Sequence, residues 1–252
     1  MNKSVTVKEL LKFLPGERIE KIVCFDLIDS TNTYLKNKKY SPDGTVIIAN
    51  KQTNGRGRLG RNFISESNQG IFLSYLKKLD SLTDCGELTA KIAVSVCDAI
   101  ENVCKFRPQI KWVNDLLINN KKICGILTEL VFDEKKSPIA IIGIGVNVNS
   151  CPSELTDIAS SLSVELGTEF SASELTAEII KQIDGFQSKN YYFKKYKTDC
   201  ITIGKNVNVI QNGNIRKGFA ESLNEDFSVN IRFGDGHTEK ISYGEISLKQ
   251  SE

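Results

Sequence analysis

The chain has 252 residues, 33 Lys+Arg against 31 Asp+Glu, and a net charge of +2. That length accommodates one large domain with a small one, and the near balance of charge excludes the strongly basic character of a dedicated nucleic-acid binder. Apolar runs such as 138–146 (PIAIIGIGV) fall far short of the roughly 18 residues a membrane span needs, and the N-terminus lacks a signal-peptide core, so a soluble, cytoplasmic protein is expected.

The elements follow in order. KIVCFDLI (21–28) is a strand. DSTNTYLKNKK (29–39) begins a helix on the capping residues Asp29 and Ser30. TVIIAN (45–50) and GIFLSYL (70–76) are short buried strands, and an amphipathic helix runs from about Leu88 to Cys104, its apolar face including Ile92, Val96, Cys97, Ile100 and Cys104. QIKWVNDLLI (109–118) and KICGILTELVF (122–132) form a hairpin about Asn119-Asn120, and IAIIGIGVNV (139–148) adds a strand. SASELTAEIIKQI (171–183) carries a capping box, Ser171 with Glu174, and starts the last helix. From about Ile201 the texture changes to short strands separated by Gly, Asn and Asp turns, the pattern of a small all-β barrel.

Two residue counts restrict the chemistry. Seven cysteines lie scattered without a C-x-x-C pair, which reads as reduced structural thiols, with Cys97 and Cys104 in the core. His237, the only histidine, lies in a turn-like FGDGHTEK, so Ser-His-Asp hydrolysis, Cys-His catalysis and histidine zinc sites are all disfavoured. Any chemistry here rests on placed charges.

The stretch KQTNGRGRLGRNF (51–63) sets Arg56, Arg58 and Arg61 among Gly55, Gly57 and Gly60, with no acidic residue nearby in sequence. The glycines spell G-x-G-x-x-G, but a dinucleotide fingerprint must open a helix; RNFISESNQGIF instead crowds that place with Ser, Asn and Gly before a strand. A purely solvated loop is the bland alternative, though a structureless segment of about 20 residues is long for a compact domain. The functional reading is an anion clamp: guanidinium forks suit phosphate or carboxylate oxygens, and glycines admit backbone N–H groups to the same oxygens. Without an anion, three arginines together are expected to repel and leave the loop mobile.

A second constellation is KWVNDLLINNKKICGIL (111–127). A two-residue turn at Asn119-Asn120 pairs Leu117 with Lys122 and places Lys111, Asp115 and Lys122 on one face, with Asp115 diagonal to Lys122. The simple reading is a solvent-facing salt bridge. The functional one has Asp115 holding a hydrated Mg²⁺ on a nucleotide.

These residues resemble the biotin protein ligases. The family's G-R-G-R-x-G-R stands intact as Gly55 to Arg61, and its K-W-P-N-D-L with K-x-x-G-I-L stands as Lys111 to Leu116 and Lys122 to Leu127, with Val113 replacing the proline. DSTN (29–32) and GIGVNVN (143–149) match further blocks in order. The likeness implies an α+β fold: a mixed β-sheet with flanking helices as a biotin/ATP-binding catalytic domain over 1–198, and an SH3-like β-barrel over 199–252. It also implies a two-step reaction in which biotin and ATP give biotinyl-5′-AMP and pyrophosphate, and the biotinyl group then passes to a lysine of a biotin carboxyl carrier protein or domain. An ionised carboxylate is already nucleophilic, so the first step needs relief of anion repulsion rather than a base.

By resemblance, Ser30, Thr31, Asn32, Gln52, Gly55, Arg56 and Gly125 surround biotin, and Arg58 and Lys122 hold its carboxylate and the α-phosphate. Arg56, Arg58, Arg61, Phe63, Lys111, Asn114 and Asn147 face the nucleotide, and Asp115 faces a Mg²⁺. Arg58, Lys122 and Asp115 are thus the expected catalytic residues. Helix capping alone explains Ser30 and Thr31 equally well. Phe63 stands where relatives often have tryptophan and is expected to stack on adenine less strongly. Val113 is expected to be tolerated in an extended conformation. With about 20 residues before the first strand, no winged-helix domain and no DNA binding are expected, nor any membrane association, and the chain is expected to act as a monomer or homodimer. The rivals are a lipoate–protein ligase and a non-enzymatic nucleic-acid binder.

Overall fold

The computed structural model describes residues 4–248 apart from 62, 66–69, 82 and 212, and for residues 59 and 83–86 the backbone alone. Two one-turn helices, α1 (Val7–Leu10) and α2 (Gly16–Ile19), lead into β1 (Ile22–Ile28), α3 (Thr31–Asn37), β2 (Val46–Gln52) and β3 (Gly70–Lys78). The long α4 (Thr83–Cys104) is followed by β4 (Gln109–Lys111), β5 (Asp115–Ile118), β6 (Lys121–Phe132) and β7 (Pro138–Asn147). Then come α5 (Leu162–Leu166), α6 (Ala172–Asp184) and α7 (Lys189–Asp199), and the strands β8 (Asn206–Gln211), β9 (Asn214–Leu223), β10 (Val229–Phe233), β11 (Thr238–Ile241) and β12 (Glu245–Leu248).

The first seven strands form one mixed sheet in the order β1-β2-β3-β7-β6-β5-β4, with β1 and β2 parallel. Period-two alternation divides it into two faces. On one face, Ile71, Leu73, Tyr75, Ile142, Ile144 and Val146 join the buried α4 residues Ile92, Val96, Cys97 and Ile100 in the main core. On the other, Leu35 of α3 closes over Ile47, Leu76, Ile139 and Ile141. As expected from the sequence, Ser30 caps α3 by accepting from Thr33 N, and Ser171 caps α6 by accepting from Glu174 N.

The hairpin turn follows its sequence signal. Asn119 and Asn120 take positive φ of 51° and 64°, the left-handed pair of a two-residue turn, and Leu117 faces Lys122. The strand before it is a correction. QIKWVNDLLI is not one strand: Trp112–Asn114 turn, so that β4 pairs back on β5 and Lys111 faces Asp115. Val113 therefore lies in a turn after a cis Trp112–Val113 peptide, not in extended strand. Backbone propensity favoured extension, but tertiary contacts decide: Trp112 N–H donates to Thr202 Oγ1 at 2.9 Å, its indole N–H to Phe227 O at 2.8 Å, and Tyr196 O–H to Val113 O at 3.2 Å.

A second correction is α7. Helix α6 is not the last, because YYFKKYKTD is helical, with Tyr192 and Tyr196 buried one turn apart. Its many lysines and aromatics mask the helical period. Arg107 anchors it to α4, pairing with Asp98 and Asp199 at 2.6 and 2.7 Å. The C-terminal strands make the small antiparallel β unit, paired in the order β11-β10-β9-β8-β12. The stretch 239–248 (EKISYGEISL) supplies most of the two edge strands β11 and β12.

Six described cysteines are free, and Cys97, Cys124 and Cys200 are buried. Burial, with Asp26 adding, pushes the Cys24 thiol up to about 11, and burial with Glu174 pushes Cys104 up to about 12. These thiols are poor nucleophiles, as their structural reading requires. His237 is exposed, stacked on Phe233 beside Asp235. Among the described residues no helix is long and apolar enough to cross a membrane.

Candidate active site

The cleft exists because one sheet face runs out of side chains. Along β7 the alternation that buries Ile139 and Ile141 under α3 continues with Gly143 and Gly145, and along β6 with Gly125. A Cβ at Gly143 would lie 2.6 Å from Asn32 Oδ1, and one at Gly145 would overlap the Phe63 ring. The resulting cleft, about 490 Å³ including its open mouth, lies between the start of α3, the 55–63 loop and these glycines.

Ten of the expected residues line it: Ser30, Thr31, Asn32, Gln52, Arg56, Arg58, Phe63, Asn114, Lys122 and Gly125. At one end Gln52 Oε1 accepts from Thr31 N and lies 3.1 Å from Thr31 Oγ1. At the other, Asn114 spans the site: its Oδ1 accepts from Arg58 at 2.8 Å, and its Nδ2 donates to Ile126 O at 2.9 Å. Phe63 lies against Gly145 and Gly125 and meets Phe72 edge to face, 6.0 Å between ring centres. A dinucleotide fingerprint would open a helix directly after Gly60, but the loop forms a 3-10 turn at Arg58–Gly60 and residues 61 and 63–65 are not helical; residues 62 and 66–69 lie outside the described residues.

Five expected residues, Gly55, Arg61, Lys111, Asp115 and Asn147, do not line the cleft. Gly55 sits behind the loop, where a Cβ would meet Phe63 O, and its carbonyl accepts from Phe63 N. Asn147 donates to Ser160 O at 2.9 Å, and Lys111 lies opposite Asp115 on β4. Asp115 sits behind Lys122, whose Nζ is 2.7 Å from its Oδ1 in an ion pair not aligned as a hydrogen bond. The cationic face read from the hairpin is therefore real, with Lys122 turned into the cleft and Asp115 backing it.

Arg61 corrects the expectation of an uncompensated loop. It pairs with Glu245, 184 residues away, while Arg58 donates to Gly244 O at 2.5 Å. The countercharge comes from the start of β12 and was invisible in the local sequence. Burial lowers the Arg58 pKa from its ordinary value, opposed by Asp115 and Glu245, and Arg58 remains a cation. The Arg61 pKa is raised by its hydrogen bond to Glu245.

Among the described residues no group of three or more His, Cys, Asp or Glu could cage an ion. Asp115 offers one carboxylate already beside Lys122, which fits a Mg²⁺ carried by nucleotide phosphates and not a resident metal centre.

The resemblance assigned no role to the walls of the cleft: Phe72 and Leu73 line it, as do, from inside the matched K-x-x-G-I-L and GIGVNVN blocks, Leu127 and Ile144 and the glycines Gly143 and Gly145. The readable signal for the last two was G-x-G in a strand, which removes side chains from one face only.

Residues 24–147 match the model of the biotin/lipoate A/B protein ligase family. The bifunctional ligase/repressor BirA of Bacillus subtilis is 41% identical over 145 residues, 56% of this chain and 45% of that protein, so the chain matches about half the length of this relative. The biotin–[acetyl-CoA-carboxylase] ligase of Mycobacterium tuberculosis is 30% identical over 216 residues, 81% of this chain and 79% of that protein. Among solved structures, a biotin protein ligase from Aquifex aeolicus in complex with biotin and ATP superposes with a TM-score of 0.78 at 28% identity, covering 91% of this chain and 99% of that one. Fold, ordered motifs and near full-length likeness agree: the chain belongs to the biotin/lipoate A/B protein ligase family.

Proposed function

We propose that this chain is an ATP-dependent biotin–protein ligase that forms biotinyl-5′-AMP and transfers the biotinyl group to a lysine of a biotin carboxyl carrier protein or domain. The observation that carries the reading is the convergence of Lys122, Arg58 and Arg56 with the polar Thr31–Gln52 pair on one cleft. The polar end suits the ureido ring, with Ser30, Thr31, Asn32 and Gln52 around it and Gly125 giving close approach, while Gly55 lets the loop pack on the Phe63 backbone. The cationic end suits two anions that must meet.

The biotin carboxylate oxygen attacks the α-phosphorus, a P–O bond forms, and the bond to the leaving pyrophosphate breaks. Lys122 and Arg58 offset the repulsion between these groups, and their donors are placed before reaction, so little reorganisation is needed. Arg61, exchanging Glu245 for phosphate oxygens, draws pyrophosphate away. Phe63 stacks on adenine, while Arg56, Lys111, Asn114 and Asn147 belong to the nucleotide side. Asp115 is the one carboxylate that would hold a nucleotide-borne Mg²⁺, which would supply further charge neutralisation. In the second step the carrier lysine attacks the acyl carbon and AMP leaves. Residues 1–198 form the catalytic domain and 199–252 the SH3-like unit, whose Gly244 and Glu245 hold the arginine loop.

The test is exchange of labelled pyrophosphate into ATP by the purified chain. Exchange driven by biotin supports the assignment; exchange driven by lipoate and not biotin selects the lipoate ligase; salt-dependent nucleic-acid binding without exchange selects a binding protein.

A further inference from the structure

Lys122 reaches the cleft from an irregular piece of strand. The β6–β7 ladder ends where Cys124 faces Val146, so Lys122, two residues nearer the hairpin turn, has no partner on β7. On the β5 side the register shifts: Leu116 faces Cys124, yet Leu117 faces Lys122, which leaves Ile123 as an extra residue. Such a bulge breaks the alternation of faces and re-aims a side chain. Ile123 and Cys124 are both buried in the main core, and Lys122 falls on the same face as Gly125, where a Cβ would lie 3.0 Å from its Nζ. Strict alternation would have put Lys122 on the core face with Cys124.

Backbone groups beyond the end of a ladder need other partners. Here a separate segment supplies them. Lys122 N–H donates to Ile158 O, and Ser160 N–H donates to Lys122 O, each at 3.0 Å, so residues 158–160 lie beside Lys122 in the place that β7 has left. Ala159 and Ser160 are buried. Two side chains hold this strap. Asn147, the last residue of β7, donates from Nδ2 to Ser160 O at 2.9 Å. Glu165 of α5 accepts from the Ser160 hydroxyl and, at 2.7 Å, from Asn119 Nδ2 of the hairpin turn. Neither Asn147 nor Glu165 lines the cleft.

We propose that residues 158–160 are a strap that aims Lys122 into the cleft, and that Asn147 is a positioning residue acting on the bound anion through Lys122. The proposal rests on the reading of Lys122 as the cation that meets the biotin carboxylate. It gives Asn147 a role that operates before any nucleotide is present. Without the Asn147 amide, Ser160 O loses this donor, the strap loosens, and the bulged Lys122 samples directions away from Gly125.

Calorimetric titration with biotin alone, in the absence of nucleotide, tests this on the wild type, Asn147→Ala, Glu165→Ala, Lys122→Met and the variant carrying both Asn147→Ala and Lys122→Met. Asn147→Ala should weaken biotin roughly 3- to 10-fold, the scale of one hydrogen bond. Glu165→Ala, which removes the strap's other anchor, should weaken it in the same direction. In the Lys122→Met background the Asn147 substitution should change biotin affinity by less than about twofold, because effects that pass through one group are not additive. Amide hydrogen exchange reads the strap itself. In Asn147→Ala the Lys122 and Ser160 amides should exchange about tenfold faster while amides of the β3–β7 ladder keep their protection, which separates a loosened strap from general destabilisation. If Asn147→Ala leaves the binding of biotin alone unchanged, or weakens it equally with and without Lys122, the strap does not aim Lys122 and the proposal is overturned while the biotin reading stands. A loss confined to nucleotide binding has the same meaning. If Lys122→Met binds biotin as the wild type does, the reading of Lys122 fails and the strap's role with it; if the wild type binds no biotin, the biotin reading itself fails.

Discussion

Replacing Lys122 with methionine separates a structural salt bridge from a ligand-binding cation. The Lys122–Asp115 pair is 2.7 Å long, but the lysine side chain is 37% exposed, so after solvent screening its contribution to folding is about 0 to 1 kcal/mol. Methionine keeps most of the apolar stem, and the expected fall in melting temperature is no more than about 4 °C. Binding differs. A unit charge about 4 Å from a carboxylate or phosphate, at an effective dielectric near 20, contributes about 4 kcal/mol. Losing it also leaves Asp115 facing the incoming anion alone. The affinity for biotin and for a non-hydrolysable ATP analogue should each fall on the order of 10²- to 10³-fold. Calorimetric titration with each ligand, alongside thermal melting, reads both quantities. A melting temperature lowered by more than about 10 °C, with both affinities kept within about twofold, would refute the assignment and return Lys122 to a structural role.

Arg58→Gly removes the donor to Asn114 and Gly244; biotin-dependent pyrophosphate exchange should drop by roughly 10² to 10³, and chromatography of a reaction mixture should show biotinyl-AMP escaping into solution. Gly145→Ala places a methyl group against the Phe63 ring; overpacking of about 1–3 kcal/mol should appear as weaker nucleotide binding by calorimetry, partly restored by Phe63→Leu, and no rescue would count against the ring's place in the cleft. Arg107→Ala strands Asp199 and leaves Asp98 only Lys195 and Tyr191, each carboxylate being 8% exposed, and should cost about 3–5 kcal/mol in denaturant unfolding with biotin affinity unchanged.

How much of this was readable follows from the range of each interaction. The Asn119-Asn120 turn, the Ser30 and Ser171 caps and the apolar face of α4 depend on neighbours within one or two turns, and each is found where its residue pattern placed it. The turn at Trp112–Asn114 was not legible, because Thr202, Phe227 and Tyr196 impose it from 83 to 115 residues away. Helix α7 escaped because its burial is carried by two tyrosines within a run rich in lysine, where hydropathy period is weak.

The same division holds for the site. The arginine–glycine loop, the Lys122–Asp115 face and the lack of a second imidazole are properties of residue type and spacing, so the sequence alone determined that anion handling by fixed charge was the available chemistry. Only the tertiary structure decided which charges face the cleft, since Lys122 enters it while Asp115 and Lys111 stand outside. It alone supplied Glu245 as the partner of Arg61. The physical reason is that a countercharge acts through distance in space, and the sheet brings together residues whose separation along the chain carries no local signal.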